Sequence, residues 1–148
     1  RRSKYGFLES NEYGDDLYGT PVEEIKGKGV VICEVDCNGA SQIRKKFHNT
    51  LSVFILPPNY QELERRLYGR KKDSPASIAR RLAIATAEIQ EVEKFTCWIV
   101  NADLGVAAKD LWTFLINANL SRRKFPSPDF RDEVRLEAIR ATFPLAMV

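Results

Sequence analysis

Two carboxylates and a hydroxyl are the residues whose types could act together on a ligand: Glu9, Asp36 and Thr20. An ionised carboxylate only accepts hydrogen bonds and a hydroxyl can donate one. The three therefore complement a planar ligand edge with two neighbouring N–H donors beside an acceptor. Taken singly, each has an ordinary explanation: Glu9 is a solvated charge, Tyr18 packs a turn, and Thr20 caps the helix that follows. A second group is basic. Arg66-Leu67-Tyr68-Gly69-Arg70 puts two guanidiniums four residues apart, close enough on one helix to converge on a single ligand, and Arg80-Arg81 follows. A solvated basic helix is the commonest fate of such a segment, so spacing alone assigns it no chemistry. Cys33, Cys37 and Cys97 contain no CxxC pair and have only His48 as a nitrogen ligand. They are expected to be buried free thiols in a reducing compartment.

These residues need elements to position them. Val30 to Val35, Leu51 to Leu56 and Cys97 to Val100 are apolar almost continuously, which suits strands buried on both faces of a parallel sheet. Thr20 and Glu23 around Pro21 predict a capped helix that stops at Gly27 or Gly29. Asn38 to Phe47 predicts a short basic helix. Asn59 with Glu62 predicts another, with Leu63 and Leu67 on one face as far as Gly69. Ser74-Pro75 opens a longer helix whose stripe is Ile78, Leu82, Ala85, Ile89 and Val92. Asp103 precedes a fourth, carrying Ala107, Leu111, Phe114, Leu115 and Ala118. Strands alternating with helices predict an α/β domain with a parallel sheet. Beyond Leu120 a basic turn and Phe125-Pro126-Ser127-Pro128 lead into a last helix, capped by Ser127 and running to about Thr142. Its predicted apolar side is Phe130, Val134, Ala138 and Ala141, and a protein partner is its expected cover.

At 148 residues and 44% hydrophobic content the chain has room for one domain with a core, plus a tail. Its 23 basic and 20 acidic residues leave a net charge of +3, too little field to argue for nucleic acid or an acidic membrane surface. No apolar run reaches membrane-spanning length, and Arg1-Arg2-Ser3-Lys4 is not followed by a signal-peptide core. A cytoplasmic protein without membrane insertion is expected.

Gly6-Phe7-Leu8-Glu9, Tyr18-Gly19-Thr20 and Glu34-Val35-Asp36-Cys37-Asn38-Gly39, taken in series, resemble the GMP-binding half of guanylate kinases. The resemblance implies that Glu9 and Asp36 accept from guanine, that Thr20 also reaches the base, and that Tyr18 contacts the GMP phosphate. Glu34 matches a position where the family usually carries Asp. Arg66 to Arg70 and Ser74 to Arg81 resemble the family's mobile lid, which implies catalytic roles for Arg66, Arg70 and Arg81. Arg66 and Arg70, with Asn101 at a strand end near adenine, would bind ATP. The implied fold is a P-loop-kinase-type parallel sheet flanked by helices, incomplete at its N-terminus, with part of the small GMP-binding subdomain. Residues 1–120 would form this domain, with 1–29 in the GMP-binding region and 65–82 in the lid, and 121–148 a helical extension. The implied reaction converts ATP and GMP to ADP and GDP with Mg²⁺, and no protein metal site is expected. The family's phosphate loop, GxxxxGK followed by Ser or Thr, does not occur in the chain. Inactivity of the isolated chain is therefore expected, with the remaining kinase segment or another protein as a partner. The alternative is a scaffold module, although scaffold members commonly lose the residues that stand here as Asp36, Arg66, Arg70 and Arg81.

Overall fold

A computed structural model describes residues 6–13, 16–70, 73–120 and 131–144. It divides into two compact units, Arg1–Ser52 and Val53–Val148.

The first unit is a hairpin with one helix. Strands β1 (Phe7–Tyr13) and β2 (Asp16–Pro21) pair antiparallel, with Glu9 opposite Thr20 and a bulge between Phe7 and Glu9. Helix α1 (Cys37–Lys46) packs on β1. Its Gln42 and Lys46, one turn apart, fasten it to the strand's backbone. Gln42 accepts from Ser10 N at 3.1 Å and donates to Ser10 O at 2.7 Å, while Lys46 Nζ donates to Phe7 O at 2.8 Å. Leu8, Ala40 and Ile43 are buried.

Two expectations for this unit are corrected. No helix is capped by Thr20: only a single 3₁₀ turn, Val22–Glu24, follows β2, and it has no side-chain cap. Thr20 is instead the penultimate residue of β2, paired with Glu9 across the hairpin, where its N–H and hydroxyl both donate to the Glu9 carboxylate; the position before the 3₁₀ turn is taken by Pro21. Val30 to Val35 forms no strand either, and Val30 and Ile32 are 78% and 75% exposed. A strand exists only through a ladder, and among the described residues none pairs with this segment.

The second unit follows the expected alternation. Strands β3 (Val53–Leu56) and β4 (Cys97–Val100) are parallel, in register from Val53 opposite Cys97 to Leu56 opposite Val100. The connection between them carries helices α2 (Tyr60–Gly69) and α3 (Pro75–Glu88), with a 3₁₀ stretch, Ile89–Lys94, leading into β4. Asn59 caps α2 by accepting from Glu62 N at 2.8 Å, and Ser74 caps α3 by accepting from Ser77 N at 3.2 Å. Helix α4 (Leu104–Leu120) starts where Asp103 accepts from Val106 N at 2.9 Å. These caps satisfy N–H groups that the first helical turn leaves without partners.

Helix α5 (Glu133–Arg140) is seated on this same unit. Leu136, Ile139 and Phe143 join Leu56, Ile89, Val92 and Trp98 in one buried cluster, and the Tyr60 and Phe143 rings meet edge to face at 5.3 Å. Arg140 reinforces the seat, donating to Ile89 O at 3.3 Å and pairing with Glu93 at 2.6 Å. The predicted apolar stripe is therefore out of phase. Val134 is 83% exposed, and Ala138 and Ala141 are exposed too. Larger side chains at 136, 139 and 143 bury more apolar surface than the alanines would, and they decide the helix's rotation. Asp132 supplies the cap, accepting from Arg135 N at 2.9 Å. Ser127, Phe125 and Phe130 lie outside the described residues.

Candidate functional site

In the first unit the hairpin and α1 bring Glu9, Thr20 and Asp36 together. Glu9 is only 7% exposed, and a carboxylate so placed needs hydrogen-bond donors. Its Oε1 accepts from Thr20 N at 2.9 Å and from Thr20 Oγ1 at 2.8 Å. Both bonds go to Oε1, and neither uses Oε2. Asp36 is the N-cap of α1, its Oδ1 accepting from Gly39 N at 2.7 Å. Asn11 sits astride this carboxylate, its Nδ2 lying 3.0 Å from Oδ1 and 3.1 Å from Oδ2. Asn38 Nδ2 in turn donates to Asn11 Oδ1.

Both carboxylates border Gly39. A Cβ on Gly39 would stand 3.4 Å from Glu9 Oε2 and 3.3 Å from Asp36 Oδ1, so both acids border one bare stretch of backbone. At Gly19 a Cβ would fall 2.5 Å from Glu9 O and 2.8 Å from the Phe7 ring, which only glycine avoids. Each acid thus commits one oxygen to two internal donors. The other oxygen, Oε2 of Glu9 and Oδ2 of Asp36, keeps accepting capacity. Two such acceptors suit a ligand edge with two adjacent N–H groups.

The other first-unit candidates are more open. Tyr18 lies on β2 opposite Asn11 and is 57% exposed. Glu34 is exposed and, with Thr20, Lys28 and Cys33, lines an open depression of about 290 Å³.

In the second unit the structure joins Arg66 to the strand end at Asn101. Arg66 Nε donates to Glu62 Oε1 at 2.7 Å, and its two terminal nitrogens donate to Asn101 O at 2.8 Å and Ala102 O at 3.3 Å. Hydrogen bonds from Arg65 and then Arg66 hold the Glu62 carboxyl down at about 2, against an ordinary 4.5. Asn101 N donates to Leu56 O at 2.8 Å, extending the β3–β4 pairing by one bond. Arg70 is the exposed C-cap of α2. Arg81, half-exposed on α3, lies 3.5 Å from Asp73.

Asn11, Asn38, Gln42 and Glu62 escape a reading by residue type. Asn11 shares a strand face with Glu9 two residues earlier, and Gln42 and Lys46 are one helical turn apart. Those spacings were the available signals.

The guanylate kinase family model matches residues 2–118. A guanylate kinase of Trichormus variabilis is 48% identical over 105 residues, covering 68% of this chain and 53% of the relative. That of Haemophilus influenzae is 42% identical over 121 residues, covering 78% of the chain and 58% of the relative. That of Escherichia coli K12 is 42% identical over 117 residues, covering 76% and 56%. The chain spans about half the length of the curated relatives it matches. With a family match over most of its residues and its α/β architecture, the chain belongs to the guanylate kinase family.

Proposed function

We propose that the first unit binds the guanine of GMP and that the chain is the acceptor-and-lid part of an enzyme converting ATP and GMP to ADP and GDP. The observation that carries this reading is a pair of carboxylates that both border Gly39, with Glu9 Oε1 held by Thr20, Asp36 Oδ1 held by Gly39 and Asn11, and Asp36 Oδ2 shared with Asn11 alone. Guanine presents N1–H and the N2 amino group side by side; adenine presents an acceptor at N1, which two carboxylates repel. Thr20 orders Glu9, the family resemblance gives Tyr18 to the nucleotide's phosphate, and Glu34 lines the depression that Thr20 also borders.

The lid reading assigns Arg70 and Arg81 to the charge that spreads over the transferring phosphoryl oxygens, which arginines stabilise as the segment closes. Arg66 and Asn101 mark the ATP side, with Arg66 fastened to the β4–α4 turn at residues 101 and 102. Mg²⁺ would arrive with the nucleotide, since it is commonly held by substrate phosphates and its own waters; among the described residues no group of three His, Cys, Asp or Glu could hold an ion. Cys33, Cys37 and Cys97, none of them in a disulfide, suit a reducing, cytoplasmic setting. Among the described residues no helix is long and apolar enough to cross a membrane.

Calorimetric titration with GMP and AMP tests the pocket. GMP is expected to bind more tightly, and Glu9→Ala or Asp36→Ala to weaken it by about tenfold or more, the usual cost of losing a charge-assisted bond. Equal affinities for the two nucleotides, or unchanged GMP binding in both variants, would sink the assignment.

A further inference from the structure

Resting on the guanine reading of Asp36, we propose that Asn11 is a positioning residue that sets the selectivity of the pocket for a 2-amino purine, acting through the Asp36 carboxylate with Asn38 as its brace.

The geometry is specific. Only a donor can face an anion, so the short contacts of Asn11 to both Asp36 oxygens, 3.0 and 3.1 Å, fix which end of the Asn11 amide points at the acid. The opposite end must then accept, and Asn38 Nδ2 supplies the donor. With Gly39 N on Oδ1 at 2.7 Å, the carboxylate is gripped on one oxygen by the helix and across both by the strand. It cannot rotate without breaking bonds on two elements. Oδ1 has spent its lone pairs on Gly39 and Asn11, whereas Oδ2 shares Asn11 alone. Asp36 therefore offers a further ligand donor one oxygen at a fixed orientation. Such preorganisation favours a ligand whose donor is already at that point, here an exocyclic amino group, over one that lacks it.

The proposal predicts a ratio rather than a bare affinity. IMP differs from GMP only in lacking the 2-amino group, so the ratio of their affinities reads the contact that Asp36 makes. Titrations of the chain with GMP and IMP should give a preference for GMP that shrinks by about threefold to tenfold in Asn11→Ala, a fraction of one charge-assisted bond. Asn11→Asp, the same shape with a carboxylate against Asp36, should shrink it further. In an Asp36→Ala background the preference should already be low, and adding Asn11→Ala should change nothing more. A melting curve for each variant separates misfolding from loss of selectivity, and Asn38→Ala offers a second approach from the other end of the brace.

An unchanged GMP-to-IMP ratio in Asn11→Ala would overturn the proposal while leaving the guanine pocket standing. So would an Asn11→Ala effect that persists undiminished in Asp36→Ala. If Asp36→Ala leaves the GMP-to-IMP ratio unaltered, Asp36 does not make this contact and the inference falls; the guanine reading fails only if Glu9→Ala also leaves GMP binding unchanged.

Discussion

Cys97 is a single residue whose surroundings fix its chemistry. It lies on β4 with no exposed surface, and burial pushes its thiol up to about 12, opposed only in part by the charge of Arg131. Because the thiolate is the nucleophile, Cys97 stays almost wholly protonated and unreactive at pH 8. Cys33 and Cys37 are half-buried, and access rather than burial governs them. Iodoacetamide applied to the native chain at pH 8 should label Cys33 and Cys37 and spare Cys97, with all three labelled in denaturant. Native labelling of Cys97 at the rate of the others would contradict its placement. The same shift has a sign in stability. A thiol kept protonated by folding favours the native state below its ordinary value of 9.0, and that contribution is lost as pH rises from there towards about 12.

At the scale of elements, what was legible in the sequence was local. Asn59, Ser74 and Asp103 cap helices within three residues of themselves, so α2, α3 and α4 could be located without knowing their neighbours. Glu9, Thr20 and Asp36 were legible too, but through a motif rather than through their contacts. What failed depends on partners far along the chain. Val30 to Val35 needs a ladder, Thr20 is claimed by a carboxylate eleven residues away, and Asn11 meets Asp36 across a separation of 25. The sequence reading puts the apolar side of helix α5 at Val134, Ala138 and Ala141, whereas the surface it covers takes Leu136, Ile139 and Phe143. That choice is testable by mutation. Leu136→Ala should cost about 2 to 5 kcal/mol, the usual range for a buried leucine, whereas Val134→Asp should change stability by less than about 0.5 kcal/mol. Denaturant melts of the two variants decide the matter, and comparable losses would mean the helix is rotated from its observed seat.

For the whole chain, the distribution of groups separates binding from turnover. On the proposed reading, its 148 residues carry the acceptor-base carboxylates in one unit and the lid arginines in the other, and they contain no GxxxxGK motif followed by Ser or Thr. Phosphoryl transfer leaves the protein little covalent work and depends on position and charge at the migrating group. One arginine on that group is worth about 10³ to 10⁵ in rate, and a backbone cradle that fixes the donor phosphates sets the in-line geometry such an arginine acts upon. The proposed guanine recognition needs none of this, because Glu9 and Asp36 are ordered by Thr20, Gly39 and Asn11, all within the first unit. The 148-residue chain should therefore bind GMP and show no ADP release above background in a coupled assay with ATP, GMP and Mg²⁺. Measurable turnover that disappears in Arg70→Ala would overturn this expectation. It would mean that another part of the chain holds the donor phosphates and that the lid arginines complete a working transfer site.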